Sequence, residues 1–401
     1  MSVAASSAET RTGVLAWLYS INLASLVVEF SFSGVADKGL EACFLGLVVT
    51  AAVQVISGSA NLKISLSLAF VPATYAMAQL LSICSSVLFN SDSSLLNEEL
   101  LRIGEIGALN ITIFLAVATV IVGHPDPDFF RKILHRSGIL ILIFTVASIV
   151  IQQIYFSDAY NDVNNRVFML DLHPNWWGML MYGLVVCAQL GMRGWLRYLA
   201  FAVAIYVIVI SSSRGALVSV LVFWFLIFCF SLSNKSRFHV FTFVGVVIVM
   251  GTIASIAFYD EIISFADYLF LINDHDRGLD TGIVDRIDLY IIGMEAFFSA
   301  PLFGNGPGLY SQGPMEILVH NGFIIMLAES GLFLFVNFLA WVYLAISRSA
   351  AMRPDISCAI IGYLLLIQTF PRSLNLHFTS LVFMLLLLVG IGNQRKTTIR
   401  R

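Results

Sequence analysis

Residues 285–331 read DRIDLYIIGMEAFFSAPLFGNGPGLYSQGPMEILVHNGFIIMLAESG. Arg286 opens an amphipathic segment, a loop rich in Pro and Gly follows, and His320 with Asn321 precedes another apolar helix. Apolar segments almost empty of charge surround this stretch in the sequence. Because polar groups in such a chain are costly and usually functional, we expect the functional site here.

The composition excludes a water-soluble globular protein. Of the 401 residues 59% are hydrophobic and 12% are charged, whereas soluble domains carry about 25% charged residues. Apolar runs of about 20 residues, long enough to cross a bilayer as helices, recur along the chain. We therefore predict an all-α polytopic membrane protein, with residues 1–401 forming a single transmembrane domain.

About twelve membrane spans are predicted from these runs. They lie near Thr12–Phe32, Leu40–Gly58, Ile64–Phe89, Ile106–Gly123, Ser137–Phe156, Pro174–Gly191, Trp195–Ser211, Gly215–Leu232, Phe238–Phe258, Asn321–Ile346, Ser357–Phe370 and Phe378–Gly392.

Basic residues predict the orientation of these spans. With both termini in the cytoplasm, 15 of the 22 Lys and Arg residues fall on the cytoplasmic side, in agreement with the positive-inside rule. One large connection, residues 259–318, then lies outside, in the periplasm. It holds ten acids and two bases, and its apolar helical pattern predicts short amphipathic helices on the membrane surface.

Arg214 follows three serines, Ser211, Ser212 and Ser213, in a very short outer turn. This position is the first turn of the next helix, where the helix dipole disfavours a cation. A bound phosphate would reverse that effect, because helix N–H groups, hydroxyls and a guanidinium would converge on it. The alternative is an arginine that reaches the interface with its long side chain.

Arg286 and His320 are the other two candidate catalytic residues. Imidazole suits proton transfer near neutral pH, and arginine suits diphosphate better than lysine does. Alternatively, Arg286 forms a solvated pair with Asp285 or Asp288, and His320 caps a helix. Together with Arg214 they place two cations and one base on the same outer face.

Four further positions on that face are candidates for binding substrate: His173, Asn175, Asn321 and Arg372. His173 and Asn175 flank Pro174 at the start of a span, where proline also has a purely structural use in the first helical turn. Glu329 lies in an apolar context and is predicted to be structural.

Several familiar catalytic and binding motifs are absent from the sequence or incomplete. Residues 304–308, Gly-Asn-Gly-Pro-Gly, are not followed by Lys and Ser or Thr, so they are no Walker A loop. They are instead predicted to form a turn in which the backbone at Gly304 and Gly306 approaches substrate. Asp274 and Asp276 imitate a metal motif, but an acidic loop produces such pairs easily, and we predict no metal. The sequence has no HExxH and no GxSxG motif.

These elements resemble the O-antigen ligase and O-antigen polymerase family of bacterial membrane glycosyltransferases. The resemblance is carried by Ser213-Arg214-Gly215, by Arg286, by residues 301–306, by His320-Asn321 and by residues 329–331. It extends over roughly residues 173–331.

The resemblance implies a GT-C-like helical bundle in the bacterial inner membrane, with an active site open to the periplasm. It implies transfer of a glycan from undecaprenyl diphosphate to an acceptor hydroxyl, without nucleotide sugar, metal or cofactor. Arg214 and Arg286 would hold the leaving diphosphate, and His320 would take the acceptor proton, with inversion at the anomeric carbon. Membrane lipid and a possible chain-length regulator are the further partners implied, and nucleic acid is not one.

Polymerase and ligase differ in their acceptor, which is a second lipid-linked glycan for a polymerase and lipid A-core for a ligase. The acidic loop would repel the phosphate-rich lipid A-core, so we favour the polymerase and keep the ligase as the alternative. A glycan or lipid transporter is a further alternative, but it should show paired halves and charges at the bilayer midplane. A hydrolase using Ser213 and His320 lacks a recognisable nucleophile setting.

Overall fold

The computed structural model describes part of the chain. The described residues are 17–18, 20–21, 46, 49, 66–89, 101, 103–104, 106–108, 111, 127–155, 174–211, 213–233, 279–310, 321–350, 353–368 and 378–392.

Regular structure within these residues is helical throughout. The helices are α1 (Leu66–Phe89), α2 (Pro127–Tyr155), α3 (Pro174–Gly191), α4 (Trp195–Ile210), α5 (Arg214–Ser233), α6 (Leu279–Ser299), α7 (Gly322–Ser349), α8 (Pro354–Ile367) and α9 (Phe378–Gly392).

The helical lengths and compositions fit a membrane protein. In the described part of the chain, α1, α2, α5 and α7 contain segments long and apolar enough to cross a bilayer, and α3, α4 and α8 are shorter apolar helices. The predicted all-α polytopic membrane fold is confirmed. The number twelve stays a prediction, because four predicted spans fall wholly or mainly outside the described residues: Thr12–Phe32, Leu40–Gly58, Ile106–Gly123 and Phe238–Phe258.

Prolines and glycines in the sequence account for several helix ends. Proline stands at the first position of α2, α3 and α8, where its missing N–H costs nothing and its fixed φ suits the helix. Between α3 and α4, Gly194 has a positive φ of 63°, which lets the chain reverse within three residues. Short turns of this kind hold consecutive helices antiparallel.

The bundle is built on large buried side chains. Trp177 and Tyr182 of α3, Trp341 of α7 and Phe383 of α9 are almost fully buried. The ring of Phe383 stacks on Tyr363 of α8 at 4.0 Å between centroids. In this arrangement α5 packs mainly on α8, α3 and α4, whereas α7 packs on α9, α1, α6 and α8.

One end of the bundle contains the starts of α3, α5 and α7 and is called the Arg214 end below. α7 starts there because its end lies beside the start of α8, and α8 runs antiparallel to α5. Gly178 in the second turn of α3 lies against Ser213, just before α5. α1 runs antiparallel to α7, because Ser82 bonds to Glu329 near the start of α7 while Tyr75 lies beside Trp341 further along it. α1 therefore ends at the Arg214 end.

The predicted outer connection contains α6. The segment beginning DRIDLYII is helical, as expected, although the helix is 21 residues long and already starts at Leu279. Gly293, Phe297 and Ala300 are buried at four- and three-residue spacing, while Ile292 and Phe298 are exposed. α6 packs against α7. The other amphipathic pattern, at residues 261–272, lies outside the described residues.

Candidate active site

Helix α7 is broken at Gly331. This residue has φ 68° and ψ −173° inside an otherwise continuous run from Gly322 to Ser349. The break lies nine residues after the start of the helix, about 13 Å along its axis at 1.5 Å per residue. A helical break leaves N–H and C=O groups without their usual partners. Glu329, Ser330 and Gly331 are buried, so water is not a ready substitute here.

The segment after α6 supplies the missing partners. The carbonyls of Ala328 and Glu329 accept from the N–H groups of Asn305 (2.9 Å) and Gly306 (3.1 Å). In return, the N–H groups of Leu332 and Phe333 donate to the carbonyls of Pro301 (2.9 Å) and Leu302 (3.1 Å). Residues 301–310 and residues 328–333 thus form one interlocked unit, called the helix-break junction below.

Glycine is required on both sides of this junction. Gly304 has φ 77°, and a Cβ there would overlap the backbone of Glu329 and Ser330. A Cβ on Gly331 would meet the backbone of Leu302 and Phe303 in the same way. The two backbone segments therefore approach more closely than a side chain at either position permits, which explains glycine at both positions.

Asn305 fastens the junction to α6. Its Nδ2 donates to the carbonyls of Ala296 (2.6 Å) and Ala328 (3.1 Å), and its Oδ1 accepts from Ser299 Oγ at 3.0 Å. The side chain is 8% exposed. An amide is the side chain that offers both a double donor and an acceptor, so asparagine is well suited to this position.

Glu329 has the partner that its apolar surroundings demand. The side chain is 4% exposed, and its Oε1 accepts from the N–H of Tyr310 at 3.1 Å. Burial raises the pKa of the Tyr310 hydroxyl, and the nearby Glu329 carboxylate raises it further. The hydroxyl therefore stays protonated under ordinary conditions.

Ser82 of α1 also belongs to the junction, although the sequence analysis did not single it out. Its Oγ donates to the carbonyl of Glu329. Ser82, Ser85 and Ser86 are all buried, and this group of small polar residues within an apolar helix is typical of a face in contact with another helix. The spacing of these serines by three and four residues was the sequence signal that could have identified this helix face.

Arg214 occupies the first position of α5, as predicted. The turn before it is ordered by its backbone: Ser213 N–H donates to the carbonyl of Ile208 at 3.2 Å, and the Ser213 carbonyl accepts from Leu217 N–H at 3.0 Å. Ser211 and Ser213 are each 2% exposed, and Ser211 Oγ donates to the Ile208 carbonyl. The two hydroxyls are therefore largely enclosed by protein, whereas Arg214 is half-buried.

The other predicted site residues are distributed as follows. Asn321 caps α7, because its Oδ1 accepts from the N–H groups of Phe323 (3.0 Å) and Ile324 (3.3 Å). Asn175 lies in the first turn of α3, and Arg286 lies within α6. The residues Ser212, His173, His320 and Arg372, and the Asp274–Asp276 motif, lie outside the described residues.

The amides of Gly304 and Gly306 take part in the junction, and the predicted approach of their backbone to substrate stays a prediction. Their N–H groups donate to the carbonyls of Ala300 and Glu329, so these amides already have partners within the protein. The close backbone approach expected of a Gly-rich loop is present, but it is made to α7.

Two groups of predicted residues are brought together separately. Ser211, Ser213 and Arg214 lie beside the start of α3, while Gly304, Gly306 and Asn321 lie on α7 or its junction. α5 and α6 pack mainly on different neighbours within the bundle. Convergence of Arg214, Arg286 and His320 on one substrate therefore stays a prediction.

A comparison with known protein families finds a match in the region that contains these elements. Residues 199–339 match the family model described as O-antigen ligase. No curated protein matches the chain. The matched region includes Arg214, Arg286, the helix-break junction and His320, and the family implies an enzyme of the glycosyltransferase type that uses lipid-linked glycans. Residues 199–339 are therefore similar to the domain of the O-antigen ligase family, which confirms the resemblance seen in the sequence.

Proposed function

We propose that the protein is an inverting, metal-independent glycosyltransferase at the periplasmic face of the bacterial inner membrane. It moves a glycan as one block from a polyprenyl diphosphate, undecaprenyl diphosphate, to an acceptor sugar hydroxyl. The observation that carries this proposal is the position of Arg214, a cation at the first residue of α5, within the family-matched region.

The physical reason is the charge of the expected donor. A helix N-terminus carries a partial positive charge and attracts anions, so Arg214 and the N-terminus of α5 together suit a diphosphate. Arg286 adds a second guanidinium for the negative charge that develops on the leaving group. His320 takes the proton of the acceptor hydroxyl. Energy for the transfer is already stored in the donor, so no nucleotide is needed.

The remaining candidate residues would line the substrate path. Ser212, Asn175, His173 and Arg372 are placed there by their predicted position on the outer face. The Ser211 hydroxyl helps to order the turn that carries Arg214, because it donates to the Ile208 carbonyl. Ser211 and Ser213 would both contribute to the phosphate site through this turn.

The acidic connection favours a polymerase. Residues 259–318 carry ten acids and two bases, and repulsion within a Debye length disfavours an acceptor rich in phosphate. A second lipid-linked glycan is therefore our preferred acceptor, and lipid A-core, the ligase acceptor, is the alternative. A strain lacking the gene distinguishes them: a polymerase defect leaves one repeat on lipid A-core, and a ligase defect leaves bare core with glycan on the lipid carrier.

A transfer assay with purified protein tests the reaction class. Detergent-solubilised protein, lipid-linked oligosaccharide and acceptor should give a longer glycan and free polyprenyl diphosphate, with inverted anomeric configuration and undiminished yield in EDTA. A transporter forms no bond, so the absence of product from folded protein would refute the proposal. Loss of product on chelation would refute only the metal-independent mechanism.

A further inference from the structure

The start of α2 and the turn between α3 and α4 lie at the end of the bundle opposite to the Arg214 end. α3 starts at the Arg214 end, so its last residues lie at the other end. A Cβ on Gly191, the last residue of α3, would meet the backbone of His135 in α2. The first turns of α2 and the turn at Gly194 are therefore neighbours, and they are called the Arg197 end below.

Positive charge predominates at the Arg197 end. Residues 127–140 and 191–199 contain one acid, Asp128, and five arginines and lysines. All five bases are exposed or half-buried: Arg131, Lys132, Arg136, Arg193 and Arg197. Such a group of cations at the end of apolar helices attracts anions.

Two of these arginines lie against aromatic rings. The guanidinium carbon of Arg136 is 4.7 Å from the ring centroid of Trp17, and that of Arg197 is 5.1 Å from the ring centroid of Tyr198. Both distances are within the range of a cation–π interaction. Because an aromatic ring positions a guanidinium without neutralising it, both groups keep their full charge for an anion.

The contacts of Arg197 differ from those of Arg353, which lies beside the end of α7 and so at the same end of the bundle. Arg353 donates from Nε and Nη2 to the carboxylate of Asp355 at 3.0–3.3 Å. Arg197 donates from Nη2 to the neutral hydroxyl of Tyr198 at 3.2 Å. Its buried Nε–H has no hydrogen-bond partner among the residues that the structure describes. The charge of Arg353 is thus balanced by a neighbouring carboxylate, and that of Arg197 is not.

The aromatic residues place these cations at the level of lipid headgroups. Trp195 is 75% exposed and Tyr198 is 62% exposed, and both stand in the first turn of the apolar helix α4. Tryptophan and tyrosine favour the boundary between lipid and water in membrane proteins. In the predicted orientation this boundary is the cytoplasmic one, where the leaflet carries anionic lipids.

We propose that the Arg197 end binds the headgroup of an anionic phospholipid, with the Nη groups of Arg136 and Arg197 donating to its phosphate oxygens. Guanidinium groups suit phosphate geometry, and basic groups between membrane helices on the cytoplasmic side are suited to anionic headgroups. The proposal is independent of the transferase activity, because the site lies at the end of the bundle away from Arg214.

Lipid titration of the detergent-solubilised protein, followed by native mass spectrometry, tests the proposal. Wild-type protein should bind phosphatidylglycerol more tightly than zwitterionic phosphatidylcholine. At equal amounts of folded protein, Arg136→Gln and Arg197→Gln should each weaken phosphatidylglycerol binding about fivefold and leave phosphatidylcholine binding unchanged. Phosphatidylglycerol binding at the wild-type level in both variants would overturn the proposal.

Arg353→Gln is the matched control. It removes the same charge at the same end of the bundle, but from a guanidinium that already has a carboxylate partner. Its phosphatidylglycerol binding should stay close to wild type. Equal weakening in Arg353→Gln and Arg197→Gln would show that net charge alone attracts the lipid, and it would overturn the site.

Competition with inorganic phosphate separates a lipid headgroup from a soluble anion. Inorganic phosphate at the same concentration as phosphatidylglycerol should not displace the lipid, because it lacks the acyl chains that hold the lipid beside the exposed rings of Trp195 and Tyr198. Displacement under these conditions would assign the site to a soluble anion and contradict the proposed lipid.

Discussion

The helix-break junction and the α4–α5 turn use polar groups in opposite ways. In the junction, the backbone groups freed at Gly331 are matched by groups of residues 301–306, and Asn305 and Glu329 find partners within the chain. At the α4–α5 turn, a guanidinium stands at a helix start, where the dipole opposes it. The junction is therefore architecture, whereas the cation at the turn agrees with the proposal that an anionic ligand binds there.

The largest effect is expected at Gly331. Gly331→Ala places a methyl group against the backbone of Leu302 and Phe303 and forces alanine into a backbone region suited to glycine, so unfolding should become easier by roughly 2–6 kcal/mol. Gly194→Ala is the matched control, because Gly194 has a similar φ of 63° and nothing within 4 Å of the added Cβ. Thermal unfolding in detergent measures both, and equal losses would contradict the close contact.

Arg214 should affect turnover and leave the fold intact. Arg214→Ala removes a charge from the proposed diphosphate site, and loss of one such electrostatic contact lowers kcat by about 10²–10³. Arg214→Lys keeps the charge without the fork of donors and should recover part of the rate. A wild-type kcat in Arg214→Ala would show that this turn is not part of the active site. The difference in role between the turn and the helix-break junction would then be contradicted.

Asn305 tests whether the junction is held by matched donors and acceptors. Asn305→Asp would point carboxylate oxygen at the carbonyls of Ala296 and Ala328, so it should destabilise the protein by about 2–3 kcal/mol. Asn305→Ala removes the same bonds without adding repulsion and should be the milder change. Chemical denaturation compares them, and an Asp variant as stable as wild type would disprove the assigned amide orientation.

Substitutions of Asn321 have the smallest expected effect. They separate its role as the cap of α7 from its predicted contact with substrate. Asn321→Ala removes the α7 cap and should lower stability by about 1 kcal/mol. Asn321→Ser retains a capping oxygen but loses the amide nitrogen. A serine variant with normal stability and normal transfer makes Asn321 a cap alone, whereas normal stability with reduced transfer supports the predicted contact with substrate.

The sequence predicted well what depends on local pattern. The spans Pro174–Gly191 and Phe378–Gly392 have the bounds of α3 and α9, because apolar runs between polar turns define helices in a membrane. Arg214 stands at the first turn of its helix as expected, since the connection Ser211–Ser213 is too short for any other placement.

The helix-break junction could not be predicted in the same way. Residues 301–306 and 328–333 are separated by more than 20 residues, and their pairing depends on a glycine break that helical periodicity does not reveal. The sequence indicated the glycines and a structural Glu329, but not that the loop packs on α7. Asn305 and Ser82 acquire their roles only from long-range hydrogen bonds.

The most direct test of the account is transfer by His320→Ala at equal amounts of folded protein. Wild-type protein should release polyprenyl diphosphate and extend the acceptor, and His320→Ala should do neither at a measurable rate, because the proposed mechanism assigns the acceptor proton to His320. Release and extension at the wild-type rate by His320→Ala would contradict the proposed mechanism.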